Sequence, residues 1–168
     1  MRLKVFHSAA AVYHAPSDLS GIGGMHREYI RATQAWHGGP ARYDCIFVER
    51  EPEEEGFHAL GVAQVRVFFS FEHNNVAYAC AFVKWFETHG DSPCPDTGLW
   101  RVKPDFTARG RRMCSVIHID SILRAAHLIG VYGDKFIPSH LRYHHSLDAF
   151  KLFYVNKFAD HHAREIAY

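Results

Sequence analysis

The sequence predicts a mainly β fold finished by a C-terminal helix, and three features carry that prediction. From Gly61 to Phe71 the apolar residues Ala63, Val65, Val67, Phe69 and Phe71 recur at every second position, while Gln64, Arg66 and Ser70 share the opposite face, as a half-buried strand requires. From Val76 to Phe86 the same period returns in Tyr78, Cys80, Phe82 and Phe86, interrupted by Lys84. Between the arms lies Glu72-His73-Asn74-Asn75, and asparagine tolerates the left-handed backbone angles of a tight turn, so the arms should pair as an antiparallel hairpin. From Ser146, a candidate N-cap, the period changes. Leu147, Phe150, Phe153, Tyr154 and Phe158 follow helical spacing with no Gly or Pro through Tyr168, which predicts one helix, continuous or broken near Asp160.

Composition sets the bounds. A chain of 168 residues suits one domain, read here as an irregular N-terminal segment (1–42), a β-barrel core (43–133) and a helical C-terminal extension (134–168). Thirteen Phe and eight Tyr supply an aromatic core, because each ring contributes roughly 1.5 to 3 kcal/mol when fully buried. A formal charge of +1 with 22% charged residues confines any electrostatic function to local patches. The four cysteines, Cys45, Cys80, Cys94 and Cys114, show no Cys-x-x-Cys spacing, so no structural zinc is expected. Cys45 and Cys80 lie in apolar strand patterns and Met1-Arg2-Leu3-Lys4 does not open a secretory signal, which together indicate a reducing, intracellular setting. No apolar run reaches the length of a membrane span.

Taken in order, Val5 to Tyr13 is compatible with a strand that Pro16-Ser17-Asp18 ends. The glycines of Leu19 to Glu28 lack the Lys-Ser/Thr of a phosphate loop and read as an ordinary loop. Tyr29 to Ala35 suits one or two helical turns, and His37-Gly38-Gly39-Pro40 breaks the chain before a strand from Tyr43 to Val48. Glu49 to Glu55 is a solvated acidic loop. After the hairpin, Gly98 to Pro104 resumes a strand with Trp100 and Val102 on one face, Asp105 to Arg112 is a turn, and Ser115 to Ile119 is a strand. Asp120-Ser121 signals a cap for a 3₁₀ or α turn. Ala125 to Tyr132 then closes the sheet, with a helix from Ser121 to Leu128 as the competing reading, and Gly133-Asp134 ends the unit.

Several of these stretches resemble the C-terminal region of fungal, basidiomycete-type DNA-transposon proteins of the Plavaka kind. They are Ser17 to Arg27, Tyr43-Asp44-Cys45-Ile46-Phe47-Val48, Ala63 to Phe71, Leu99-Trp100-Arg101-Val102, Val116 to Ile129 and Ser146-Leu147-Asp148-Ala149-Phe150. The resemblance covers nearly the whole chain. It implies the trailing module of a transposase, with no assigned active site, whose catalytic carboxylate core would lie upstream. Gly130 departs from it, standing where such proteins would have proline. At the level of fold, the strand order resembles SH3-like and bromo-adjacent-homology barrels, in which a 3₁₀ turn precedes the last strand; fold alone does not fix function.

The chemistry-bearing residues fill no catalytic constellation. There is no Gly-x-Ser-x-Gly elbow, and Asp44, Asp96, Asp105 and Asp120 are scattered, so neither a nucleophile with its base nor a metal-dependent nuclease is indicated, and no cofactor is implied. Among the fourteen histidines, His144-His145 and Asp160-His161-His162 are the nearest approach to a metal set, but adjacent residues on a helix point apart. Two binding readings remain open. Arg101, Lys103, Arg109, Arg111 and Arg112, interleaved with Trp100 and Phe106, form a basic stretch suited to DNA or chromatin, which would make the module nuclear. Alternatively, the aromatic C-terminal helix serves contact with a second copy or with a transposase core. A methyl-lysine cage from Tyr43, Tyr78, Trp85 and Trp100 is a lesser variant, because aromatic residues in strands are usually core.

Overall fold

The structure, a computed structural model, describes residues 2–16, 22–133 and 136–168. Its strands in chain order are β1 (Lys4–Phe6), β2 (Ser8–His14), β3 (Met25–Thr33), β4 (Arg42–Tyr43), β5 (Cys45–Glu49), β6 (Leu60–His73), β7 (Val76–Thr88), β8 (Arg101–Pro104), β9 (Cys114–His118), β10 (Ile122–Ala126), β11 (Leu128–Gly130) and β12 (Phe153–Val155). Two helices, α1 (Ser146–Ala149) and α2 (His161–Ile166), complete the described elements together with short 3₁₀ turns. The protein is mainly β, with a nearly closed, seven-stranded antiparallel sheet in the order β10-β5-β6-β7-β8-β12-β11.

The β6–β7 hairpin is the axis of this sheet. Asn74 and Asn75 adopt φ of 51° and 61°, the left-handed pair that a two-residue turn demands, and the ladder runs from His73↔Val76 down to Val62↔Phe86. The proximal half of the hairpin continues into β5 on one edge and β8 on the other, while the distal half pairs with β1 and β9. The barrel nearly closes because β10 and β11 flank one residue, His127. Ala126 pairs with Cys45 of β5, Leu128 pairs with Val155 of β12, and the Asn156 amide donates to the His127 carbonyl at 2.9 Å. This decides against the helix: the stretch from Ala125 is strand as far as Gly130, divided at His127, and Val131 and Tyr132 lie beyond it. The 3₁₀ turn Ile119–Ser121 precedes it, capped by the His118 ring, which accepts from the Asp120 amide, rather than by Asp120 itself.

Two cores result, one on each face of β5. Ile46 and Val48 join Ala63, Val65, Phe68, Ala81, Val83 and Trp85 under the β2–β3 hairpin; Cys45 and Phe47 join Val62, Phe86, Trp100, Val102, Phe153 and Val155 inside the barrel. The predicted alternation along β6 therefore holds only as far as Val65. The register shifts at Arg66, where a bulge inserts one residue against the Val83/Phe82 step of β7, and a one-residue shift exchanges the two faces. Beyond it Phe68 turns inward, at 2% exposure, and Val67, Phe69 and Phe71 turn outward. Across the hairpin Ala81, Val83 and Trp85 take the first core, and Phe82 and Tyr78 stay half-buried.

Three further expectations change. The N-terminal segment is not irregular: β2 and β3 pair over seven residues from Ser8↔Arg31 to His14↔Met25, and the stretch from Tyr29 to Ala35 read as helical lies in β3 as far as Thr33. The Tyr43–Val48 strand divides at Asp44, whose amide donates to the Arg31 carbonyl and whose carboxylate accepts from the Arg31 amide. The C-terminal extension is not one helix from Ser146. After the single turn of α1, residues 153–155 add to the barrel as β12, with Phe153↔Gly130 and Phe153↔Val102, and α2 starts only after Asp160. A Cβ at Gly130 would fall against the Phe150 ring, so the glycine makes room for that ring. Ser17 to Gly21, within the strand stop and glycine loop, and Asp134 lie outside the described residues.

One ion cluster joins the chain ends to the sheet. Arg124 of β10 is 4% exposed. Its guanidinium donates to both Asp160 oxygens at 2.7 and 2.6 Å, lies 3.5 Å from Glu28 of β3, and packs 4.8 Å from the Tyr13 ring centroid. Glu28 also accepts the Ala125 amide at 2.5 Å, and Asp160 caps α2 through the Ala163 amide.

Two outcomes follow. Phe68→Ala is expected to cost about 3 to 5 kcal/mol in urea unfolding, and Phe69→Ala no more than about 1.5 kcal/mol; equal costs would contradict the bulge. The second concerns pH. Hydrogen bonding from Arg124 lowers the Asp160 pKa in the folded protein, so its stabilisation is present above the unfolded carboxylate value, about 3.9, and is lost as pH falls through the lower folded value. Asp160→Asn keeps a capping side chain but should cost up to about 3 kcal/mol at neutral pH and flatten the loss of stability at acid pH. An acid limb as steep as the parent's would contradict the role of this pair.

Candidate nucleic-acid interface

Past the point where β6 and β7 leave the barrel core, the outward face of the hairpin turns polar. Gln64 and Lys84 stand opposite each other there, followed by the bulge residue Arg66. Gln64 is held by donating to the Tyr43 carbonyl at 3.2 Å, and the Arg66 guanidinium lies over the Tyr43 ring at 3.8 Å from its centroid. Two grooves meet at Gln64. One, of about 450 Å³, is floored by Phe86 and Phe106 and edged by Lys84, Lys103, Arg112 and Lys151. The other, of about 530 Å³, runs past Arg66, Tyr43 and Arg42 to Trp36. Glu87 and Asp148 are the carboxylates in these walls, against six Lys and Arg side chains. Glu87 pairs with Lys103 at 3.1 Å, and Arg42 pairs with Asp44 at 2.8 Å. Lys84, Lys151 and Arg66 have no carboxylate within ion-pair distance among the described residues.

The five basic residues singled out in the sequence divide between roles. Lys103 and Arg112 line the groove. Arg112 is structural as well: it donates to the Trp85 carbonyl at 3.0 Å and packs between the Phe86 and Phe106 rings, 5.2 and 5.4 Å from their centroids, and burial lowers its pKa. Arg109 and Arg111 are exposed on the turn between Phe106 and Arg112, which an isolated bridge closes. Arg101 lies away from the groove, its strand neighbour being Tyr154. Arg42, Arg66, Lys84 and Lys151 escaped the sequence reading because strand pairing and a bulge, not proximity in the chain, bring them together.

The four rings proposed as a cage do not gather. Trp85 belongs to the first core and donates its indole N–H to Ser115 Oγ at 2.7 Å. Trp100 belongs to the barrel core, stacks on Phe57 and donates to the Tyr168 carbonyl at 3.2 Å. Tyr78 stacks on Phe71 near the distal turn, and Tyr43 lies under Arg66. Of the histidine sets, His144 and His145 pack on each other while Asp160 and His162 are engaged with Arg124. No three His, Cys, Asp or Glu side chains gather as metal donors among the described residues. Burial, added to by Asp44, pushes the Cys45 thiol far up, so it is no nucleophile at neutral pH. No helix among the described residues is long and apolar enough to cross a membrane.

The division among the arginines is testable by unfolding. Arg112→Ala should destabilise by about 1 to 3 kcal/mol through the orphaned Trp85 carbonyl and the vacated space between the rings, whereas Arg109→Ala and Arg111→Ala should stay within about 0.5 kcal/mol. Comparable losses at all three would refute it.

Comparison of the chain with protein-family models, with curated proteins and with solved structures finds no match.

Proposed function

We propose that this chain is a non-catalytic, nucleic-acid-binding module that seats a phosphate backbone in the paired grooves around Gln64. The observation that carries this reading is the unbalanced charge of the walls: Arg66, Lys84 and Lys151 stand without carboxylate partners among the described residues, Arg66 over the Tyr43 ring and the two lysines in a groove that Phe86 and Phe106 also line. Cations set against aromatic surface are dehydrated in part and positioned in advance, which suits them to phosphate oxygens and to base or sugar faces. Phosphate contacts of this kind orient a strand without specifying its sequence. The resemblance to the trailing region of transposon proteins supports the same reading, since such a module would work beside DNA in the nucleus.

A second reading, self-association, draws on the outward face of the distal hairpin. There Val67, Phe69, Phe71, Tyr78 and Phe82 lie half-buried beside Val116, which is 55% exposed. Phe150, which a C-terminal helix would have offered to a second copy, instead packs against Gly130, Tyr132 and Phe153.

A salt titration separates the two. Binding of a labelled oligonucleotide should fall steeply with salt, and Arg66→Gln with Lys84→Gln and Lys151→Gln should flatten the slope of log affinity against log salt, for each phosphate no longer neutralised, by roughly 0.9 on a duplex or roughly 0.7 on a single strand. No saturable binding of either a single strand or a duplex at low salt, with concentration-dependent dimerisation in sedimentation, would overturn the first reading in favour of the second.

A further inference from the structure

The outer face of β3 carries a row of cations and rings that neither groove contains in full. Strand alternation puts Arg27, Tyr29 and Arg31 on one side, and Ile30 and Ala32, both buried, on the other. Glu28 faces inward to Arg124 and the Ala125 amide, so it does not neutralise the outer row. Arg27 lies 5.6 Å and Arg31 4.9 Å from the Tyr29 ring centroid. The register Thr33↔Arg42 then places β4 so that Arg31 and Arg42 both sit against Trp36, at 4.6 and 5.2 Å. Asp44 is the acid in this row; it takes Arg42 and the Arg31 amide, leaving the Arg27 and Arg31 guanidinium groups without a carboxylate among the described residues. Tyr29 is 52% exposed, and Trp36 is half-exposed at the end of the groove that leads back to Arg66.

Resting on the reading of the grooves as a phosphate seat, we infer that the ligand is single-stranded nucleic acid, and that its strand leaves the groove at Trp36 and runs along β3 over Arg31, Tyr29 and Arg27. Two features select an unpaired strand. Rings and guanidinium planes lying on a sheet surface offer stacking faces, and only unpaired bases have faces free to stack on them. Alternate residues of a strand repeat at roughly 6.6 Å, comparable with the repeat of an extended nucleotide, so successive groups on β3 meet successive nucleotides. Recognition on this row is sequence-tolerant, since every base presents a stackable face and the cations meet only phosphate.

The test is fluorescence anisotropy with a labelled oligothymidylate and a duplex of the same length, on the full chain and two variants. Tyr29→Ala should weaken oligothymidylate binding roughly five-fold to a hundred-fold while leaving duplex affinity within about two-fold. Arg27→Gln combined with Arg31→Gln should lower the salt slope for the single strand by about 1.4, at roughly 0.7 per phosphate neutralised. Because Tyr29 is exposed, its variant should melt with the parent, which separates impaired stacking from impaired folding. If the parent binds both ligands and neither variant changes single-strand binding, this inference is overturned while the groove reading stands. If the parent prefers the duplex, the single strand is not the ligand. Absence of binding to both ligands would overturn the groove reading itself.

Discussion

A guanidinium taken out of water must be met by charge, and in this chain that requirement falls on Arg124. Its partners come from three distant places: Glu28 and Tyr13 from the two strands of the β2–β3 hairpin and Asp160 from the start of α2. Removing water from such a cluster is costly, and burying apolar residues instead is often as stable, so its distinctive contribution is to specificity of arrangement. The placement of the N-terminal hairpin and of the C-terminal turn brings Glu28 and Asp160 to the Arg124 guanidinium and Glu28 to the Ala125 amide at once. With that placement fixed, Ile30 and Ala32 cover the first core and Ala167 and Ile166 reach the second.

The same constraint reaches the surface. Because Glu28 must face Arg124, the alternation of β3 obliges Arg27, Tyr29 and Arg31 to face solvent. The bulge at Arg66 acts similarly on β6: it moves the face that belongs to the first core from Ala63 and Val65 to Phe68 and sets a guanidinium on the Tyr43 ring at the groove junction. Core specification and the cationic track are thus two sides of the same strands. A substitution inside, at Glu28 or Arg124, would disturb the outer row without touching it.

The parts of the fold legible in the sequence were those set by neighbours along the chain. Asn74-Asn75 between alternating arms identified the hairpin, and the short apolar runs at 43–48, 98–104 and 115–119 each contain a strand. What the sequence did not disclose was decided by long-range pairing. A bulge leaves no mark in alternation, which points Phe69 inward where the structure has Phe68. Leu147, Phe150 and Phe153 sit at intervals of three that a helix would explain, yet Phe153 pairs with Gly130 and Val102, and barrel closure overrides local spacing. Of the basic stretch, Lys103 and Arg112 reach the groove, whereas Arg31 and Arg42 meet at Trp36 only through the β3–β4 register.

The three tryptophans offer the most direct test of where ligand sits. Trp85 and Trp100 have indole N–H groups committed to Ser115 and Tyr168 inside the two cores, while Trp36 lies at the junction of groove and ladder. In a proton–nitrogen correlation spectrum recorded while an oligonucleotide is added, the Trp36 indole signal should move to saturation and the other two stay within the small shifts of distant residues. Saturating movement of the Trp85 or Trp100 signal with Trp36 unmoved would contradict it.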